Sequence, residues 1–242
     1  MRKTLSVAAG ATTLLAALAF AAPAQASGWH DDHDGTAKLS VLHGVPGLKV
    51  DVWVDGKLTL DNFTPGTLAG PLDVPDGDHK IAITGADATS ADNPVIGPVE
   101  VDLKAGRDYT AVAHLAADGT PTATLFKNST KPSPDDKGKL TVRHVAAAPA
   151  VDVLAGGTAV VKGLTNPDQK LLTLKEGTVS ASVAAAGTTT PLIGPADVKI
   201  AEGKNTIVYA WGSLANNSLG LAVQVVDSAS RADDCDDDCD DD

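Results

Sequence analysis

Cysteine is almost absent from this chain of 242 residues. Its two cysteines, Cys235 and Cys239, both lie in the terminal stretch DDCDDDCDDD. The rest of the chain therefore contains no disulfide, and its stability has to come from buried apolar surface. The two cysteines are candidates for a disulfide of their own, formed within one chain or between two chains in a disulfide-linked dimer.

Catalytic motifs are absent as well. The chain has no G-x-S-x-G, no H-E-x-x-H and no cysteine outside its terminal stretch that could act as a nucleophile. We therefore predict that the protein is not an enzyme and that it uses no cofactor. No residue is assigned as catalytic or cofactor-binding.

Aromatic and basic residues are scarce. Aromatic residues make up 3% of the chain, and Trp53 is the best candidate for an exposed carbohydrate platform, although burial in a core is the favoured interpretation. The 19 basic residues are outnumbered by 31 acidic ones, which gives a formal net charge of −12. Such a balance excludes nucleic acid as a partner and favours cations, basic partners or simple solubility.

The chain begins with the pattern of a secretory leader. Arg2 and Lys3 precede an apolar run over residues 5–22, and Ala24-Gln25-Ala26 then supplies the small residues typical of a signal-peptidase site. We predict a cleaved signal peptide over residues 1–26 and a secreted, extracellular protein, which non-covalent contacts could hold at the cell surface. No second long apolar stretch follows, so no membrane span is expected after cleavage.

The remaining sequence contains an internal repeat. VLHGVPGLKVDVWVDG at 41–56 aligns without a gap with VRHVAAAPAVDVLAGG at 142–157, and six of the sixteen positions are identical. IGPVEVDLKAG at 96–106 also aligns with IGPADVKIAEG at 193–203. We predict two domains of similar fold, joined by an exposed, proline-bearing linker. The predicted segments after the leader are an acidic, histidine-bearing stretch at 27–38, domain 1 at 39–127, the linker at 128–139, domain 2 at 140–227 and a disordered acidic tail at 228–242.

Short strands separated by turns are predicted in each repeat. Asp-Gly pairs such as Asp55-Gly56 are turn signals, and residues 50–55 and 207–211 alternate with the period of two that a half-buried strand shows. No stretch after the leader sustains a helical period. The seven strands predicted in the first repeat are 38–43, 49–54, 57–60, 79–84, 99–103, 109–115 and 122–126. The pattern predicts an all-β chain with two tandem immunoglobulin-like antiparallel β-sandwich domains.

These segments resemble a known family. The leader, the opening LSVLHGVPGLKVDVWVDG, the strand DGDHKIAI, the segment IGPVEVDLKAGRDYTAVAHL and the second copy are similar to the bacterial family called domain of unknown function 4397, over most of residues 38–226. The resemblance implies a sandwich fold and a secreted protein. Because the family has no assigned activity and no assigned catalytic residues, the resemblance implies no substrate.

A histidine and an aspartate recur at matching positions of the two repeats. His43 and Asp51 correspond to His144 and Asp152, and each histidine is in phase with apolar neighbours at the end of its strand. One hypothesis makes each pair a base held by a carboxylate, as a hydrolase would need. The other hypothesis is structural, with the imidazole bonded to a neighbouring backbone group or carboxylate. We favour the structural one, because a structural device must appear in every copy of a fold.

The ends of the chain and one turn contain residues that bind metals in other proteins. Imidazole and carboxylate groups together could hold zinc, copper or nickel, and the oxygen donors of PDGDH at 75–79 could hold calcium. A solvated end and a tight turn explain the same residues without a metal, and we favour that interpretation. The weak candidates at the predicted mature amino terminus are His30, Asp31, Asp32, His33 and Asp34.

The function that these observations favour is that of a secreted or cell-surface module that binds a partner or serves a structural role without catalysis. The sequence does not name the ligand, and the partner is expected among cell-wall or secreted-protein components. Two alternatives stay open. One is an extracellular protein that binds divalent metals through its acidic and histidine-bearing ends, and the other is a hydrolase that uses the repeated His and Asp pairs.

Overall fold

A computed structural model of the protein describes residues 35–229. This part of the chain contains sixteen β-strands and no helix, so the prediction of an all-β chain is confirmed. The strands of the first repeat are β1 Thr36–His43, β2 Val50–Val54, β3 Lys57–Phe63, β4 Leu68–Pro75, β5 Gly77–Gly85, β6 Ile96–Leu103, β7 Asp108–Leu115 and β8 Pro121–Lys127. The strands of the second repeat are β9 Lys137–Ala147, β10 Val151–Ala155, β11 Thr158–Leu164, β12 Gln169–Lys175, β13 Gly177–Ala185, β14 Pro191–Ile200, β15 Lys204–Ser213 and β16 Gly220–Asp227. Within the described residues, no helix is long and apolar enough to cross a membrane.

Each repeat contributes its own pair of four-stranded sheets. In the first repeat, sheet A has the order β4-β1-β7-β8 and sheet B the order β3-β2-β5-β6. In the second repeat, sheet C has the order β12-β9-β15-β16 and sheet D the order β11-β10-β13-β14. The two repeats therefore share one strand order, and no sheet in the described part of the chain combines strands from both.

Apolar residues two positions apart build one core between the two sheets of each repeat. In the first repeat, Leu39 and Val41 of sheet A meet Val52 and Ile83 of sheet B in one buried cluster. Corresponding strands of the second repeat form a second cluster in the same way. The alternation that predicted these strands is therefore the pattern that packs the two sheets together.

The structure contains one strand of the first repeat that the sequence pattern misses. All seven predicted strands are present with small shifts at their ends, but β4 is additional. It contains Pro71 and ends at Pro75, residues that argue against a central strand. The structure accommodates them because β4 lies at the outer edge of sheet A and its pairing with β1 is interrupted by a bulge between Leu39 and Val41.

The sheets are mostly antiparallel, as predicted, but one strand pair in each repeat runs parallel. Strand β1 runs parallel to β7, and β9 runs parallel to β15. The chain passes through the other sheet between the two members of each pair, so no hairpin forces them to run in opposite directions. All other strand pairs in the described residues are antiparallel.

The repeated segment Ile-Gly-Pro marks a bulge in both repeats. Gly97 and Gly194 have φ angles of +94° and +91°. A Cβ atom on Gly97 would lie 2.7 Å from the carbonyl oxygen of Ile81, and one on Gly194 would lie 2.8 Å from that of Ala181. Glycine is therefore required at each position for two reasons, namely the positive φ angle and the close approach of the neighbouring strand.

We expect Gly97→Ala to lower the free energy of unfolding more than Gly106→Ala does. Both glycines have positive φ, so alanine at either position brings a conformational penalty of about 1–2 kcal/mol. Only Gly97 adds a clash, since nothing lies within 4 Å of a Cβ on Gly106. Urea denaturation of the two variants measures the difference, and equal losses would contradict this account of the bulge.

The two repeats pack against each other through sheets A and C. Leu42, Val112 and Phe126 of the first repeat form a third buried cluster with Ile207 and Tyr209 of the second. Strands β7 and β15 therefore bury both of their faces. The interpretation of residues 207–211 as a half-buried strand is wrong for this reason, because Ile207, Val208, Tyr209 and Ala210 are all buried.

A buried arginine lies at the centre of this interface. Arg143 of β9 is 0% exposed, and its guanidinium lies 4.4 Å from the ring centroid of Phe126 and 5.2 Å from that of Tyr209. It donates hydrogen bonds to Gln169 Oε1 at 2.9 Å, Tyr209 OH at 2.7 Å and Asn128 Oδ1 at 2.8 Å. Burial lowers the pKa of Arg143, but a guanidinium stays protonated in proteins. Its charge is therefore stabilised by neutral hydrogen-bond acceptors, by aromatic faces and by the charge of Asp108.

The hydrogen bonds of Arg143 continue into a network that crosses the interface. Tyr209 OH donates to Gln224 Oε1 at 2.5 Å, and Thr110 Oγ1 of the first repeat donates to the same oxygen at 2.9 Å. Gln224 Nε2 in turn donates to Ser40 Oγ at 3.1 Å. Because each of these polar groups is buried and paired, rotation of one repeat against the other would leave several of them without partners.

The linker and one loop add further connections between the repeats. Asn128, the first residue of the predicted exposed linker, is buried and donates to Thr110 Oγ1 at 2.9 Å, whereas residues 131–137 are mostly exposed. Asn166, in the loop between β11 and β12, donates through Nδ2 to the carbonyl oxygens of Leu115 at 2.8 Å and Ala146 at 2.6 Å. The linker is therefore exposed in its middle but fixed at its start.

We expect Arg143→Ala to lower the free energy of unfolding by roughly 3 kcal/mol. The change removes the packing on Phe126 and leaves the buried acceptors Asn128 Oδ1 and Tyr209 OH without their donor. The exposed Arg107→Ala is the control and should change stability little, within about 0.5 kcal/mol. Urea denaturation checks both values, and a loss at Arg143 no larger than that at Arg107 would contradict a stabilising role of the network.

Candidate binding cleft

The repeated histidines hold the loop that follows their strand. His43 is 1% exposed, its Nε2 lies 2.7 Å from the carbonyl oxygen of Leu48, and its Nδ1 lies 3.4 Å from the backbone nitrogen of Val45. Since the amide of Val45 donates, Nδ1 carries no proton, and Nε2 is the donor to Leu48. His144 makes the same pair of contacts with Pro149 and Ala146. Burial lowers the pKa of both histidines, so both are neutral.

The repeated aspartates hold a bulge in the neighbouring strand. Asp51 Oδ1 accepts a hydrogen bond from the backbone N–H of Asn62 at 2.8 Å, and Asp152 Oδ1 accepts one from Gly163 at 2.8 Å. Asn62 and Gly163 have φ angles of +54° and +63° and lie where the pairing with β2 and β10 shifts register. Each carboxylate thus satisfies an N–H group that the bulge removes from the ladder.

The structure does not join the repeated histidines and aspartates into dyads. His43 and His144 bond to backbone atoms of their own loops, while Asp51 and Asp152 bond to backbone atoms of β3, β11 and the turn after β13. No hydrogen bond between a repeated histidine and a repeated aspartate occurs among residues 35–229. The hypothesis of a base held by a carboxylate therefore has no geometric support at these positions.

A different histidine and aspartate lie together in an open cleft of the first repeat. The cleft has a volume of about 500 Å³ and is bounded by β3 on one side and β4 on the other. Its walls combine apolar side chains with both signs of charge, and they consist of Val54, Asp55, Lys57, Thr59, Leu72, Asp73, Val74, Pro75 and His79. We call this the β3–β4 cleft.

His79 and Asp55 form an ion pair at this cleft. His79 Nδ1 lies 2.7 Å from Asp55 Oδ2, and Nε2 lies 2.8 Å from the carbonyl oxygen of Pro75. A carboxylate and a carbonyl both accept, so both ring nitrogens must carry a proton. Burial opposes the charged form, but the hydrogen bonds to Asp55 and Pro75 outweigh it and raise the pKa of His79. The bonds from His79 and from the N–H of Lys80 lower the pKa of Asp55.

The corresponding cleft of the second repeat lacks this ion pair. It lies between β11 and β12 and has a volume of about 270 Å³ and mostly apolar walls. Strand pairing matches His79 with Val179, since Gly77 pairs with Leu103 as Gly177 pairs with Ile200. The turn residue Asp55 corresponds to Gly156. The ion pair is therefore a feature of one repeat alone.

Sequence reasoning missed this pair because it looked for residues that the repeats share. The sequence pattern places Asp55 in a turn and His79 at the start of the predicted strand 79–84, beside the weak calcium candidate at 75–79. The signal that could have found them is the difference between the repeats, since a charged pair present in one copy is not needed to form the fold. Trp53, by contrast, is 7% exposed and donates to Thr84 Oγ1 at 2.9 Å, as the core interpretation predicts.

The remaining candidate residues lie outside the described part of the chain. They are His30, Asp31, Asp32, His33, Asp34, Cys235 and Cys239. Within residues 35–229, no three His, Cys, Asp or Glu side chains are grouped so that they could hold a metal ion, and this range includes the turn at 75–79. The metal and disulfide hypotheses for the two ends stay predictions.

The described residues define an all-β protein with an ion-paired cleft in its first repeat. Comparison with known protein families shows which family this stretch matches. Residues 37–154 match the model of the family described as Domain of unknown function (DUF4397). The family that the sequence resembles is therefore confirmed over this stretch, which covers the first repeat and the first two strands of the second. No curated protein matches the chain.

One solved structure shows a limited likeness. The chain is 15% identical to "The Bacillus anthracis TIE protein", with a TM-score of 0.20, over 72% of this chain and 35% of that chain. The matched region thus spans about a third of that protein's length. At this TM-score, the likeness supports no conclusion about fold or function.

We expect the histidines of the first repeat to affect stability with opposite dependences on pH. The raised pKa of His79 means that its stabilising contribution is complete below about pH 6.5 and is lost as the pH rises through the folded-state value. The lowered pKa of the buried His43 means that its contribution is present above about pH 6.5 and is lost as the pH falls.

The measurement is the melting temperature of the wild type, His79→Val and His43→Gln between about pH 5 and pH 8.5. The difference between wild type and His79→Val should shrink as the pH rises. The difference between wild type and His43→Gln should shrink as the pH falls. Parallel curves for the two variants would show that the assigned protonation states are wrong.

Proposed function

We propose that the protein is a secreted, non-catalytic binding module whose ligand site is the β3–β4 cleft. In this proposal, each repeat is an immunoglobulin-like sandwich, and the second repeat supports the first. The observation that carries the proposal is the ion pair of His79 and Asp55, which lines a cleft in one repeat and is replaced by Val179 and Gly156 in the other. A charged pair that the fold can do without is a candidate for recognition.

The hydrogen bonds of the histidines support a function without catalysis. Both ring nitrogens of His43, His79, His114 and His144 are within hydrogen-bonding distance of a partner. A general base needs a free nitrogen within reach of its substrate. These four are the histidines within residues 35–229, and none of them offers such a nitrogen. The hydrolase alternative therefore gains no support from the geometry.

The chemistry of the cleft favours an extended peptide that carries a basic side chain. Strands β3 and β4 are the outer strands of sheets B and A, and the open cleft between them can hold an extended chain through contacts with its side chains. Val54, Leu72 and Val74 offer apolar contact. The carboxylate of Asp55 is half exposed, and its lowered pKa keeps it ionised, so it can accept from a ligand cation.

We expect the cleft to bind a short peptide of alternating valine and lysine residues and to reject the matching valine–glutamate peptide. The experiment is a titration of isotope-labelled protein followed by amide NMR. Shifts should concentrate at Lys57, Thr59 and Leu72. In the variant His79→Val/Asp55→Gly, which carries the residues of the second repeat, the shifts should disappear.

The matched control is Asp118→Gly. Asp118 also precedes a glycine in an exposed turn of the first repeat but lies outside the cleft. The backbone tolerates glycine at Asp55, whose φ is +52°, so the double variant should keep its fold. Equal binding by the wild type and the double variant, or equal binding of both peptides, would contradict the proposed site.

A further inference from the structure

Strand β16 presents the most exposed large apolar side chains of the described residues. It is the outer strand of sheet C, and Val223 and Val225 are 53% and 60% exposed. Gln224 and Val226 point the other way and are buried, Gln224 in the network around Arg143. The strand therefore carries an unpaired backbone edge next to a small apolar surface.

The other seven outer strands carry features that oppose pairing with a further strand. Proline, lysine and bulges are the usual means by which natural sheets protect an edge. These features are Lys57 and a bulge in β3, Pro71 in β4, Pro98 in β6, Pro121 and Lys127 in β8, Lys162 and a bulge in β11, Lys170 and Lys175 in β12, and Pro195 and a bulge in β14. Strand β16 has no proline, no lysine and no bulge, and its register with β15 is unbroken.

We propose that β16 is an interaction surface that pairs antiparallel with β16 of a second copy of this chain. The sequence of the strand is self-complementary about Gln224, since an antiparallel pair centred there places Val223 of one copy opposite Val225 of the other. The exposed valines of both copies then lie on one face of the joined sheet, where they cover each other. This pairing joins two four-stranded sheets into one of eight strands.

The charges near β16 fit an antiparallel pair and oppose a parallel one. In the antiparallel pair, Asp227 lies opposite Leu221 of the other copy, and the two Asp227 residues are six positions apart along the strands, or about 20 Å. This distance exceeds the Debye length of about 8 Å at physiological salt. A parallel pair in register would place Asp227 beside Asp227.

The test is sedimentation equilibrium of the purified full chain with reductant, which removes dimers linked through Cys235 or Cys239. We expect a monomer–dimer equilibrium that strengthens with salt, because the chain is strongly acidic. Val225→Lys should weaken dimerisation at least about tenfold, since lysine at an exposed edge opposes strand pairing. The control is Val160→Lys, at a valine of similar chemistry that is 45% exposed on β11, and it should leave the equilibrium unchanged.

Hydrogen exchange separates this interface from other modes of association. Amides of residues 221–227 should gain protection at high protein concentration in the wild type but not in Val225→Lys. The proposal is overturned if the chain remains monomeric at every concentration, or if Val160→Lys weakens the dimer and Val225→Lys does not. This outcome would not affect the β3–β4 cleft, which lies in the other repeat.

Discussion

Arg143 is buried, so protein groups rather than water must stabilise its charge. The arrangement of the two repeats depends on these groups, because both repeats supply them. The guanidinium of Arg143 is fully buried. Its hydrogen bonds go to two amide oxygens and a phenol, it packs on two aromatic faces, and Asp108 supplies the opposite charge. One aromatic face comes from the first repeat and one amide from the linker, so the arginine is fully surrounded only when both repeats are in place. The inner strands β7 of sheet A and β15 of sheet C consequently have both faces covered.

The sequence pattern predicted the individual strands, but it did not predict the interface between the repeats at which Arg143 is buried. Alternating apolar residues and Asp-Gly turns identified seven strands of the first repeat, because these signals act within a few residues. Residues 207–211 are all apolar, which is typical of a strand buried on both faces, but such a run does not show which sheet covers its second face. The position corresponding to Arg143 in the first repeat is Leu42, and this contrast was the available sign of an asymmetric interface.

The residues of the β3–β4 cleft could not be predicted from the repeat, because the residues that the repeat singles out serve the fold. Repetition singled out His43 and Asp51, and the structure shows each of them bonded to backbone groups that every copy of the fold must satisfy. Their spacing in sequence does not place them together, because the histidine faces its own loop and the aspartate faces β3. Asp55 and His79 are 24 residues apart and meet only because β2 and β5 are neighbours in sheet B. That neighbour relation depends on the topology, which local patterns do not contain.

The buried contact between sheets A and C also has a consequence for the binding that we propose. Because hydrogen bonds hold the linker and both repeats, the β3–β4 cleft keeps a constant distance and direction relative to every surface of the second repeat. Two chains joined through their second repeats would therefore present two clefts at a fixed spacing. For a ligand with repeated binding segments, the second attachment would occur at an effective concentration set by that spacing, so a weak single contact could become a strong attachment by avidity.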